Sequence, residues 1–157
     1  MRYSRILCVA VVGLVLVAAT SRADQTTTEM DAVRDAIRAN RKAVVTANLN
    51  LSDEEATKFW PLYEEYLKQL SALQDRLAKV VEQYAKQYET LTDDEASNLT
   101  AAYVLEEEQR AKLRHTYLPR FAAVLPGKTL ARLYQVENKF DAAVRYELAA
   151  AIPLVKQ

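Results

Sequence analysis

Side chains suited to metal binding are scarce in this chain. His115 is the only histidine, so a single chain cannot supply a pair of histidines to a metal ion. Helical bundles that hold two iron ions use Glu-x-x-His motifs, but Lys112 stands three residues before His115. The acidic run Glu106–Glu108 lies at i,i+4 spacing from Arg110 and Lys112, which favours a solvated stretch paired along one helix. We therefore expect no metal site within one chain, and only a site shared between two chains stays open.

Residues for covalent catalysis are equally scarce. The only cysteine, Cys8, lies in an apolar N-terminal run, and His115 is the only candidate for a histidine base. The two glycines, Gly13 and Gly127, are far apart, so the chain has no glycine-rich phosphate loop. Scattered carboxylates on a helical protein are usually surface charge. The sequence therefore predicts a protein that is not an enzyme and that binds no cofactor.

Arginine and aromatic residues at helical spacing favour a binding role instead. Arg34, Arg38 and Arg41 are four and three residues apart, which places them on one stripe of a helix. The segment that follows is rich in aromatic residues. Tyrosine either packs between helices or gives adaptable contacts on a binding surface, and both interpretations stay open here. Partner contacts are predicted from both groups, namely Arg34, Arg38, Arg41, Phe59, Trp60 and Tyr63.

A second basic series lies in the C-terminal half of the chain. One interpretation is a solvated helix surface whose charges pair internally, and the other is a mixed polar and aromatic face for unfolded or acidic proteins. Its members are Arg110, Lys112, Arg114, Arg120, Lys128 and Arg132.

Four helices must position all of these side chains. The scarcity of glycine favours long helices over sheets, whose turns and bulges use glycine. Pro61 should kink the second helix or split off a short first segment, and Pro119 should bend the third. The predicted fold is all-α, four helices with short loops in a bundle or an open hairpin cradle. Apolar periodicity predicts helices over Met30–Asn48, from Ser52 to about Tyr88, from Thr92 to about Leu125 and from about Thr129 to Ala151.

The starts of the second and third helices resemble each other at an offset of forty positions. In each, a hydroxyl residue can accept from the backbone three residues on, while a glutamate there reaches back to the cap backbone. This reciprocal arrangement is a capping box. The two motifs are Leu51, Ser52 and Glu55, and Leu91, Thr92 and Glu95.

The N-terminus has the three parts of a secretory signal. Arg2 and Arg5 supply positive charge, and an apolar run from 6 to 19 follows. Small residues at Ser21 and Ala23 then fit the positions before a cleavage site. The alternative is an uncleaved membrane anchor, which the shortness of the apolar run disfavours.

Residues 1–23 are therefore predicted to be a cleaved signal peptide, and residues 24–157 a single exported helical domain. Cleavage removes three arginines and leaves 18 basic against 21 acidic residues, a net charge of about −3. This balance argues against electrostatic binding of nucleic acid. Cleavage also removes the only cysteine, so the mature chain must fold by apolar burial without disulfides.

At its two helix entrances the chain resembles the periplasmic Spy/CpxP family, which carries a twice-repeated L-T-x-x-Q motif. The copies here are Leu51-Ser52-Asp53-Glu54-Glu55 and Leu91-Thr92-Asp93-Asp94-Glu95, with glutamate in place of the family's glutamine. Either residue can close a capping box. The resemblance implies a curved helical homodimer in the periplasm that acts as an ATP-independent chaperone or an envelope-stress adaptor. Its partners would be unfolded or envelope proteins.

Two further functions remain as alternatives. One is a structural or regulatory helical subunit with a single dedicated envelope partner. The other is a metal-responsive sensor, although the ligand-rich segments of metal-sensing relatives are missing here.

Overall fold

The computed structural model of the chain describes residues 40–155. Of these residues, 44–155 belong to one compact unit, Val44–Gln157. Four helices cover most of the described part, which contains no strand, so the all-α prediction is confirmed. They are α1 (40–49 of the described part), α2 (Asp53–Gln87), α3 (Asp93–Ala122) and α4 (Gly127–Ala151). The predicted signal peptide and the start of the first helix lie outside the described residues.

Local signals set where α1 ends and where α2 and α3 begin. Asn50 follows α1 with a φ of 47°, the left-handed conformation that asparagine tolerates at helix ends. Both predicted capping boxes are present. The Ser52 amide donates to Glu55 Oε2 at 2.8 Å, and the Thr92 amide donates to Glu95 Oε2 at 2.9 Å. This backbone donor, together with the Thr92 hydroxyl, holds the pKa of Glu95 below its usual range.

Pro61 does not split α2, contrary to one of the two predicted outcomes. The helix is continuous from Asp53 to Gln87 with Pro61 inside it. Proline removes only one backbone donor, whereas Phe59 and Tyr63 beside it are fully buried. Packing on both sides of the proline therefore holds the helix together across the missing hydrogen bond.

The connection between α3 and α4 lies slightly earlier than the sequence suggested. Helix α3 ends at Ala122 rather than near Leu125, and Pro119 lies within its last turn. Helix α4 begins at Gly127, directly after Pro126. The Leu130 amide donates to the Pro126 carbonyl at 2.9 Å, so the first turn of α4 forms at once. The short turn brings α4 back along α3.

Helices α2 and α3 run antiparallel. Arg120, near the end of α3, donates to Glu65 in the first half of α2 at 2.7 Å. Glu106, in the first half of α3, accepts from Arg76 further along α2 at 2.9 Å. Residues later in α2 therefore pair with residues earlier in α3, as in two antiparallel helices.

Helix α4 runs in the same direction as α2. Tyr63 donates to Glu137 in α4 at 2.6 Å, and Tyr84 donates to the carbonyl of Pro153 just after α4, also at 2.6 Å. Helices α2, α3 and α4 thus form an up-down-up bundle within Val44–Gln157.

The core lies toward one end of this bundle. Its buried side chains come from the end of α1, α2 as far as Leu73, the second half of α3, the turn after α3 and the first half of α4. They include Val45, Leu49, Phe59, Tyr63, Tyr66, Leu70, Leu73, Leu113, Tyr117, Phe121, Leu125, Leu133 and Val136. The α2 seam continues through Leu77, Val80 and Tyr84, but these side chains are only half-buried. The two ends of the bundle therefore differ, one closed and one open.

Candidate functional site

The aromatic residues predicted to contact a partner lie at the closed end. Phe59 and Tyr63 are fully buried, and their rings stack with centroids 5.1 Å apart. Trp60 is half-buried and meets Phe59 edge-on at 5.0 Å. A partner could touch Phe59 or Tyr63 only if this part of the core opened. Burial thus gives both rings a packing role in this conformation.

The predicted arginine stripe is only partly described. Arg34 and Arg38 lie outside the described residues. Arg41 is 4% exposed, so it does not offer its guanidinium to solvent as a surface contact would. Burial of an arginine requires pairing or hydrogen bonds, so a partner could reach this guanidinium only if its surroundings opened.

A buried carboxylate joins the helices at the closed end. Glu137 is 4% exposed and accepts from the Tyr63 hydroxyl at 2.6 Å and from the Tyr66 hydroxyl at 3.5 Å. The sequence did not reveal this site, although Glu137 shares the helix face of Leu133 and Phe140 and so interrupts an apolar stripe. Its geometry explains why tyrosine rather than phenylalanine occupies the two α2 positions.

Tyr117, Glu65 and Arg120 form a second polar cluster across α2 and α3. Arg120 binds both carboxylate oxygens of Glu65, at 2.9 and 2.7 Å, and the Tyr117 hydroxyl donates to Oε1 at 2.8 Å. These donors lower the pKa of Glu65 from 4.5 to about 2, chiefly through the Arg120 bonds. Burial, followed by the Glu65 bond, raises the pKa of Tyr117.

The acidic run Glu106–Glu108 does not pair along its own helix as predicted. Glu106 binds Arg76 of α2, Glu107 binds Arg145 of α4, and Arg110 binds Asp141 of α4. Pairs between packed helices are partly desolvated, whereas i,i+4 pairs on an exposed helix contribute only a few tenths of a kcal/mol. Arg110, Arg114 and Arg120 of the second basic series thus have acidic partners within the bundle.

Exposed apolar side chains gather at the open end. Within the described residues nine large apolar side chains are exposed, and seven of them come from the first half of α3, the second half of α4 and the segment after α4. We call these seven the apolar end. They are Tyr103, Val104, Leu105, Val144, Tyr146, Leu154 and Val155.

A groove of about 470 Å³ opens among these elements. Its walls are mainly apolar and include Val80 of α2, Leu99 of α3 and Leu148 of α4. The extended segment after α4 closes one side, where the Tyr84 hydroxyl donates to the Pro153 carbonyl. The mainly apolar walls of the groove suit binding of an apolar partner.

The described part of the chain offers no group of three or more potential metal ligands among histidine, cysteine and acidic residues. His115 is exposed on α3. No helix among the described residues is long and apolar enough to cross a bilayer.

Comparison of the chain with family models, with characterised proteins and with solved structures finds no match in any of the three.

Proposed function

We propose that the chain is a periplasmic protein-binding protein, an ATP-independent chaperone or envelope-stress adaptor of the Spy/CpxP type. The observation that carries this proposal is the apolar end, which holds seven of the nine exposed large apolar side chains of the described residues. Four of them, Tyr103, Val144, Leu154 and Val155, line one groove. Folded monomers seldom expose apolar side chains in such groups unless another molecule covers them.

The chemistry of this surface suits weak binding of unfolded protein. Tyr103 and Tyr146 offer rings with a polar hydroxyl, which adapt to varied partners, and Leu105 and Leu154 offer aliphatic contact. Binding by apolar contact needs no nucleotide, since burial of apolar surface itself supplies the favourable free energy. The two capping boxes and the predicted signal peptide support membership of this periplasmic type.

The test is suppression of aggregation. The protein, purified after export of the full-length chain, is mixed without ATP with a client that aggregates when diluted from denaturant, and light scattering is followed. We expect suppression at near-stoichiometric ratios. Unchanged scattering with several unrelated clients would contradict the chaperone function, and crosslinking in envelope extract would then test for a dedicated partner through a single dominant product.

A further inference from the structure

The groove at the apolar end continues into a basic cleft between α3 and α4. Glu107, Arg110 and Arg145 line both the groove and the cleft. Arg114 and Asp141 line the cleft but not the groove. The cleft has a volume of about 280 Å³. An apolar site and a charged site therefore share one rim.

The cleft carries one positive charge more than its own acids neutralise. Arg110 and Arg114 both bind Asp141, and Arg145 binds Glu107. Three guanidinium groups thus face two carboxylates. The side chains of Arg110 and Asp141 are only 12% and 13% exposed, so this ion pair lies inside the cleft. The Arg145 side chain is 55% exposed, so a ligand can reach it. A single anionic group at this rim would balance the charge.

The groove beside the cleft suits an unbranched apolar chain. Leu77, Val80 and Val81 of α2 face Leu99 of α3 and Leu148 of α4 across it. Its volume of about 470 Å³ lies within the range of about 300–1,000 Å³ that small-molecule sites occupy.

A peptide suits this groove less well than a simple chain does. Each residue of an extended peptide brings a backbone N–H and C=O that need partners once buried. The groove offers few polar side chains, and the Tyr84 hydroxyl already donates to the Pro153 carbonyl. An acyl chain has no such groups along its length.

We propose that this groove binds one long-chain fatty acid, with its acyl chain between α2 and α4 and its carboxylate at Arg110 and Arg145. This site goes beyond the proposed protein-binding function and does not depend on it. A neutral apolar ligand would leave the positive charge unbalanced, and a small anion would leave the apolar walls uncovered.

The experiment is displacement of a dansyl-labelled fatty acid from the delipidated protein by palmitate and by methyl palmitate, both below the concentrations at which they aggregate. We expect saturable binding of the probe at one site per chain. Palmitate should displace the probe at least ~10-fold better than methyl palmitate does. Only palmitate has a negatively charged carboxylate that can bind the arginines.

Two matched variants locate the carboxylate. Arg145→Gln should weaken palmitate ~5- to 10-fold and leave the methyl ester unchanged. Arg76→Gln is the control, because Arg76 is also half-exposed and also pairs with a glutamate of α3, but lies outside the groove. It should change neither affinity. Leu148→Glu should abolish probe binding while circular dichroism still reports native helicity.

Several results would overturn the proposal. They are the absence of saturable binding, equal displacement by palmitate and its ester, or equal weakening by Arg145→Gln and Arg76→Gln. An extended apolar peptide that displaces the probe better than palmitate would assign the groove to peptides instead. Failure to bind the fatty acid would leave suppression of aggregation unaffected, and loss of suppression would leave fatty-acid binding unaffected, so the two proposals can fail separately.

Discussion

The hydroxyl of Tyr63, in α2, donates a 2.6 Å hydrogen bond to Glu137 of α4, and both side chains are buried. A carboxylate taken out of water needs donors, so this bond ties the position of α4 to that of α2. The core of the closed end is therefore specified by polar geometry as well as by apolar packing.

Tyr63→Phe should destabilise the fold by about 1–3 kcal/mol. The change keeps the ring but removes a donor from a buried carboxylate, and the desolvation of Glu137 is then less well offset. Urea unfolding followed by circular dichroism measures the difference. Tyr84→Phe is the matched control, because its hydroxyl bond to the Pro153 carbonyl is exposed and should contribute less than about 1 kcal/mol. Equal losses in the two variants would contradict the role given to Glu137.

Ser52→Ala and Thr92→Ala should each cost about 0.5–2 kcal/mol, because each removes the side-chain acceptor that caps a helix start. Glu55→Gln should change stability by only a few tenths of a kcal/mol, since glutamine also reaches the cap backbone. Ser97→Ala, at an exposed position inside α3, is the control and should be neutral or slightly stabilising. The measurement is the midpoint of urea unfolding for each variant. Equal midpoints for Ser52→Ala and Ser97→Ala would show that the Ser52 cap does not stabilise α2.

Acid should remove the stabilisation that Glu65 supplies. Its pKa falls from 4.5 to about 2 in the folded protein, chiefly because of Arg120. A lowered folded pKa gives stability that is complete above pH 4.5 and lost as the pH falls toward about 2. Glu65→Gln should therefore be less stable than the parent protein near neutral pH. The difference in free energy of unfolding between the two should shrink as the pH falls from 4.5 toward about 2.

The same measurement in an Arg120→Gln background isolates the cause. Without the Arg120 guanidinium, only the Tyr117 hydroxyl still donates to Glu65. The Glu65→Gln change should then alter the free energy of unfolding less, and this difference should depend less on pH. Urea unfolding across the acid range supplies both comparisons. A difference that stays constant with pH would exclude Glu65 as the titrating group.

Polar replacement of the apolar end should reduce suppression of aggregation without unfolding the protein. In Leu105→Ser/Tyr146→Ser, two exposed side chains lose apolar contact, and we expect at least a ~3-fold higher ratio of protein to client for equal suppression. The control, Val44→Ser/Leu118→Ser, alters two exposed side chains outside the apolar end. Light scattering compares the two, and an equal effect would mean that the apolar end is not the binding surface.

Much of the fold follows from short-range patterns in the sequence. The capping boxes at Ser52 and Thr92 and the all-α class were predicted because each depends on residues within one helical turn or on a repeated apolar period. Such interactions form wherever the local chain is helical. They are independent of which helix lies alongside.

The pairing of charges and the division of the aromatic residues were decided by the tertiary structure. The sequence placed the partners of Glu106 on its own helix, but Arg76 of α2 binds it, because bundle packing brings a different helix closer and takes most of the Glu106 carboxylate out of water. The sequence also predicted partner contacts from Phe59 and Tyr63, and left open whether the tyrosines pack between helices instead. Residues of one apolar seam look alike in sequence, and only the packing of α3 and α4 buries the start of that seam and leaves its end open at Tyr84.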